Sequence, residues 1–204
     1  MPVTIDAPLV VLASGSKTRA RMLSAAGVDV TADAPHVDES MIKEAMKAEA
    51  ASALDTAMAL AELKAVRKSP EYRQALVIGA DQILECDGAW FDKPANLAAV
   101  RRTLEALAGR AHNLHTAVVV VLDGAVIWRH GERAVLTMRE LSPEFIDAYL
   151  VRAGEAVLSS VGAYQVEGLG AQLFSRIEGD YFSILGLPLL PVLDFLRVRG
   201  AIGT

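Results

Sequence analysis

The sequence predicts a mixed α/β fold, with helices around a mixed sheet, arranged as two lobes around a central cleft. Three observations carry this. Apolar strand-like runs alternate with stretches at helical spacing along all 204 residues. Strand pairs joined by Asp-Gly turns stand beside strand-turn-helix units, so hairpins and crossovers occur in one chain. No internal repeat or low-complexity linker divides it, and residues 1–204 read as a single domain of two lobes.

The elements follow in order. Residues 9–14 form a buried strand and residues 16–26 a helix closed by Gly27. Residues 39–68 are rich in Ala, Met, Glu and Lys at helical spacing, with a break near 52–56 where Asp55 is placed to cap a second helix. "ALVIGADQILECDG" alternates and ends in Asp-Gly, hence a strand entering a tight turn. Residues 96–107 have Asn96 in front and Gly109 behind, which marks a helix. "NLHTAVVVVLDGAVIWRHGERAVLTM" reads as a long hairpin through Asp123-Gly124. Ser142-Pro143-Glu144 opens another helix, with cap and first-position proline in the expected order. A glycine-rich stretch then precedes a short helix from Pro188 to about Arg199.

Composition excludes several classes. The longest apolar run, "TAVVVVL", is too short to span a bilayer, and the start "MPVTIDAPLVVLAS" lacks the basic flank of a signal peptide. A cytoplasmic location and no membrane partner are the expectation. Cys86 is the one cysteine, read as a small buried apolar residue. With 20 basic and 25 acidic residues the net charge is −5, which argues against a general nucleic-acid binder. An anionic ligand would have to be met by a local basic pocket.

Such a pocket has candidates. "LASGSKTRARML" runs a strand into Ser14, Gly15 and Ser16 and then into a basic helix start, where free N–H groups and the dipole attract anions and Arg19 adds a grip. A plain N-cap with a solvated basic face accounts for the same residues, and the glycine count and Gly-Lys-Ser/Thr ending of a Walker loop are missing. In "IGADQILECDGAWFDKP" an apolar strand delivers Asp81 at its end, where a carboxylate can hold a metal or take a proton from water. Lys93, past the Asp87-Gly88 turn and stiffened by Pro94, is a possible clamp or salt-bridge partner for Asp81. Glu39 and Lys64 read locally as helix residues. His112 and His115, three apart on a strand, point to opposite faces and are poor joint ligands. His36 and His130 are isolated. "GAYQVEGLGAQL" allows close backbone approach to a ligand, with Tyr164 and Glu167 able to touch a flat ring, or else fills a corner as a bend-rich segment.

Taken in order, "LASGS", "VDES", "LAELKAV", "IGADQILECDG", "DKP", "LEALAGRAHNLHTAV", "GAYQVEGLG" and "IEGDYFSILGLPL" resemble the Maf family of nucleoside triphosphate pyrophosphatases, once described as septum-formation inhibitors. The resemblance covers nearly the whole chain. It implies a Maf/inosine triphosphate pyrophosphatase-like fold, often dimeric, that cleaves a nucleoside triphosphate between its α- and β-phosphates. By motif, Asp81 is the proton acceptor. Ser14, Ser16, Arg19, Lys64 and Lys93 match phosphate-site positions, and Glu39 with Asp81 the positions for Mg²⁺ or Mn²⁺. Lys17 and Arg21 remain surface charge.

Base preference falls on Thr18, Gln82 and Glu167. The dTTP/UTP branch typically has Ser-Pro-Arg-Arg where this chain has Ser16-Lys17-Thr18-Arg19, Asp-Thr at Asp81-Gln82, Asp-Lys at Ser159-Ser160, and Gln at Glu167. Gln82 and Glu167 resemble instead the branch acting on 7-methyl-GTP, although that branch usually has Trp at Thr18. A carboxylate at Glu167 accepts only, which suits the N–H edge of guanine better than the carbonyls of thymine. Two functions are therefore carried forward: a metal-dependent pyrophosphatase, and a nucleotide-sensing regulator of cell division without essential turnover. A dinucleotide-binding Rossmann domain is excluded by the missing Gly-x-Gly-x-x-Gly turn.

Overall fold

The computed structural model describes residues 7–203. The basic flank sought ahead of the first strand concerns residues that begin at position 1, and positions 1–6 lie outside the described ones. The α/β character is as the sequence predicts. Seven strands form one mixed sheet: β1 (Val10–Ala13), β2 (Val30–Ala32), β3 (Leu76–Cys86), β4 (Ala89–Phe91), β5 (Ala111–Leu122), β6 (Ala125–Met138) and β7 (Phe174–Glu178). Their hydrogen-bonded order is β2-β1-β3-β5-β6-β7, with β4 also beside β3. The helices are α1 (Lys17–Ala25), α2 (Glu39–Ala48), α3 (Ala53–Lys68), α4 (Leu97–Leu107), α5 (Pro143–Ala153), α6 (Tyr181–Ile184) and α7 (Leu189–Val198).

The chain folds into two compact units. The first comprises Met1–Asp81, Thr116–Glu132 and Gly186–Thr204, the second Gln82–His115 and Arg133–Leu185. In the first, β1 runs parallel to β2 and to β3, pairing Val10–Ala13 with Leu76–Gly79. Every residue of β1 is buried, as a parallel strand covered on both faces requires. In the second, β3 pairs antiparallel with β4 and β6 with β7. Its core gathers Leu84, Val100, Leu104, Leu136 and Ile146.

Local chemistry explains most boundaries. Ser16 caps α1, and Gly27 beyond it has φ +80°, where glycine carries no Cβ penalty. Both Asp-Gly turns have positive φ at each residue, the primed geometry that matches hairpin twist. Two expectations need correction. The cap of α3 is Ser52, whose Oγ accepts from Asp55 N at 3.1 Å and donates to Asp55 Oδ2 at 2.6 Å, so Asp55 is the third helical residue and holds the cap's hydroxyl rather than being the cap. And Asp81 does not end its strand: β3 continues to Cys86, and Asp81 lies between the segment paired with β1 and the segment paired with β4. The short strands β2, β4 and β7 carry no alternation long enough to read from sequence. Among the described residues no helix is long and apolar enough to cross a membrane.

Candidate active site

In the first unit, six of the sequence-predicted residues, Ser14, Ser16, Arg19, Glu39, Lys64 and Asp81, gather in two neighbouring clusters. The turn from β1 to α1 folds on its own hydroxyls: Ser16 Oγ accepts from Arg19 N at 3.3 Å, and Ser14 Oγ accepts from Ser16 N at 3.2 Å and from Arg19 Nη1 at 3.1 Å. Arg19 then reaches two distant carbonyls, donating from Nη1 to Ala80 O at 2.9 Å and from Nε to Gly186 O at 2.6 Å. Its guanidinium is buried, which lowers its pKa, while the charges of Asp81 and Glu39 oppose that shift. Nε and Nη1 are thus engaged inside the protein, and among the described residues the hydrogen bonds of Arg19's side chain run from these two nitrogens. Gly186 permits this contact twice over: its φ is +106°, and a Cβ there would stand 3.3 Å from Arg19 Nε.

Beside Arg19 lies a second cluster. Lys64 Nζ, from α3, is 2.6 Å from Asp81 Oδ1 on β3 and 2.6 Å from Glu39 Oε1 at the start of α2. The Lys64 and Asp81 side chains are over nine-tenths buried, whereas that of Glu39 is 44% exposed. Asp81 Oδ2 is buried and has no hydrogen-bond partner among the described residues. A desolvated carboxylate oxygen without a donor is costly, and groups kept at that cost cluster at functional sites.

Close packing of α3 on β3 sets this geometry. A Cβ on Gly79 would meet Ala61 O at 1.9 Å and Ala65 N at 2.9 Å, so the helix backbone lies directly on the strand at Gly79. Lys64 falls between Ala61 and Ala65, and Asp81 lies two residues beyond Gly79, on the same face of the strand. The glycine inside "VIGAD" is the signal that could have revealed this, since glycine within a strand marks a close backbone approach.

The donor set suits a hard divalent ion. No three His, Cys, Asp or Glu residues gather as a metal cage among the described residues. Glu39 and Asp81, the latter with its unpartnered Oδ2, offer carboxylate oxygens, the donor type that Mg²⁺ and Mn²⁺ accept from one or two protein side chains.

The remaining predicted residues stand elsewhere. Thr18 is half-buried, the second residue of α1, while Lys17 and Arg21 are exposed. Gln82, Lys93 and Glu167 belong to the second unit. Gln82 Nε2 donates to Ser183 O at 2.9 Å and to Ile184 O at 3.2 Å, which commits its amide nitrogen to the end of α6. Lys93 and Glu167 are exposed.

Tyr164 needs correction as a ring-touching residue: it is 4% exposed, its OH is 2.8 Å from His112 Nε2, and it meets Phe174 edge-on at 4.8 Å. The glycine-rich stretch around it is self-packed, since a Cβ on Gly162 would strike the Tyr164 ring at 2.2 Å. Burial lowers the pKa of His112 to about 4 and raises that of Tyr164, so both are neutral in the folded core. His115 lies apart from His112 and near Glu85, 3.9 Å from Nε2 to Oε2.

The profile of the family described as Maf-like protein matches residues 9–199, so the chain belongs to the Maf family. It is 57% identical to a protein of Paramagnetospirillum magneticum named nucleoside triphosphate pyrophosphatase, over 93% of this chain and 97% of the relative. It is 47% identical to a protein of Rhizobium meliloti named 7-methyl-GTP pyrophosphatase, over 96% of this chain and 98% of that one. A solved nucleoside-triphosphatase, or dITP/XTP pyrophosphatase, of Mycobacterium abscessus overlays at a TM-score of 0.40 with 15% identity, covering 94% of this chain and 93% of its own.

Proposed function

We propose that the protein hydrolyses a nucleoside triphosphate between its α- and β-phosphates, releasing the monophosphate and pyrophosphate. The observation that carries this is the buried Lys64 ammonium joining Asp81 and Glu39 beside Arg19, in a member of a family whose relatives are named pyrophosphatases. Asp81 orients the attacking water and takes its proton. Arg19 Nη2 and Lys64 meet the phosphate oxygens, where negative charge must be balanced at the transition state, and the motif resemblance gives Lys93 a phosphate-binding role as well. The Ser14–Ser16 turn holds Arg19 in place. Glu39 and Asp81 would hold Mg²⁺ or Mn²⁺, which supplies charge neutralisation at the phosphates.

For the base we propose a guanine type such as 7-methyl-GTP. Glu167 and Gln82 support this, and so do relatives bearing that name; a carboxylate that only accepts suits a base edge with N–H donors or a positive charge. A panel of standard and methylated triphosphates, with pyrophosphate release measured, tests the reading. Glu167→Gln should lower turnover of guanine nucleotides relative to pyrimidine ones, and an unchanged ratio would remove Glu167 from base selection.

A further inference from the structure

Lys64 occupies the point at which two acids meet. Glu39 comes from the start of α2 and Asp81 from β3, and each places one oxygen 2.6 Å from the same Nζ. Two carboxylates this close repel unless a cation lies between them. The ammonium is therefore in the place where the carboxylates would otherwise hold a metal. Its stem is anchored on a helix whose backbone is pressed against Gly79, so the base of the side chain is fixed and its tip is the part that can move.

We infer that Lys64 is an internal counter-cation that competes with the divalent metal for Glu39 and Asp81, so that metal loads tightly only together with nucleotide. The inference rests on the metal reading above. A divalent ion and an ammonium confined between two carboxylates set three positive charges against two negative ones, and on the buried Lys64–Asp81 side that repulsion is weakly screened. Metal alone has to displace Lys64 from both partners. A triphosphate supplies several negative charges, gives the displaced ammonium oxygen atoms to bind, and adds ligands to the metal. Metal and nucleotide thus favour each other's binding through one lysine, and loss of the monophosphate and pyrophosphate returns Lys64 to the carboxylates.

The test is Mn²⁺ binding to the purified chain without nucleotide, followed by electron paramagnetic resonance of free Mn²⁺. Lys64→Met, similar in length and uncharged, should bind Mn²⁺ at least tenfold more tightly than the wild type. Adding Asp81→Asn to it should abolish the gain. Equal or weaker binding by Lys64→Met overturns the inference. Because Lys64→Met leaves two acids without their cation, a second measurement uses the unaltered chain. The ¹⁵N resonance of the buried Lys64 ammonium should shift when Mg²⁺ and a non-hydrolysable triphosphate are added together, and a resonance that stays fixed while nucleotide binds overturns the inference. Mn²⁺ binding that requires Asp81 in the presence of nucleotide, with no gain in Lys64→Met, refutes the competition and leaves the metal reading standing. If Mn²⁺ fails to bind even with nucleotide, the metal reading falls and the inference falls with it.

Discussion

At the scale of single residues, the fold places charge in two different ways. Arg19 is buried on main-chain carbonyls and a serine hydroxyl, and Asp81 on one ammonium with its second oxygen left over. Gly186→Ala would force a side chain into φ +106° against Arg19. It should lower stability by about 1–3 kcal/mol and raise KM for the triphosphate more than it lowers kcat, read from thermal unfolding and steady-state rates.

His112 sets a different kind of test, because its pKa in the folded chain is about 4 against an ordinary 6.5. Below pH 6.5 the unfolded chain takes up a proton that the folded one refuses. Stability is therefore full above 6.5 and falls as pH drops toward 4, by up to about 1.4 kcal/mol per unit. His115, also lowered by burial, acts in the same direction, whereas Glu85 and Asp33 are held low and lose stability only below the ordinary carboxylate range. His112→Gln should flatten the fall between pH 6.5 and 4.5 in urea titrations; an unchanged slope would contradict the assignment. The residues joined by motif order, Ser14, Arg19, Glu39, Lys64 and Asp81, were legible in the sequence. The partner of Tyr164 was not, because His112 lies 52 positions away and neither residue carries a local sign of the other.

At the scale of elements, the contact of α3 with β3 governs the site. Gly79→Ala would place a methyl group 1.9 Å from a backbone oxygen that no rotamer change can move. Overpacking of this kind costs about 1–3 kcal/mol or more, and an ångström of displacement between Lys64 and Asp81 can cost about 100-fold in rate. We expect a folded, destabilised protein with kcat reduced about 100-fold; near-normal kcat would show that the helix tolerates the shift. Ser52→Ala removes the cap of α3 and should cost about 1 kcal/mol by chemical denaturation.

Long amphipathic helices and the two Asp-Gly hairpins could be read from sequence because cap and turn chemistry is local. The span of β3 could be read as well, since "ALVIGADQILECDG" runs to the Asp87-Gly88 turn. That Asp81 lies inside it, where pairing passes from β1 to β4, could not, because strand partners leave no mark at Asp81 itself.

At the scale of the whole molecule, a chain of net charge −5 holds two cations, Arg19 and Lys64, buried beside two acids in one of its units. Local concentration of cations is how an acidic protein can meet a polyanion at one point. The Maf resemblance also leads us to expect a homodimer, and sedimentation should return twice the chain mass.

The central claim is the bond cleaved and the residue that cleaves it, and product identity tests both most directly. Purified protein with Mg²⁺ and a nucleoside triphosphate should release pyrophosphate and monophosphate, and Asp81→Asn should lower kcat by about 1,000-fold while nucleotide still binds. Orthophosphate as the product, or turnover that survives Asp81→Asn as a pure sensor would allow, contradicts the account.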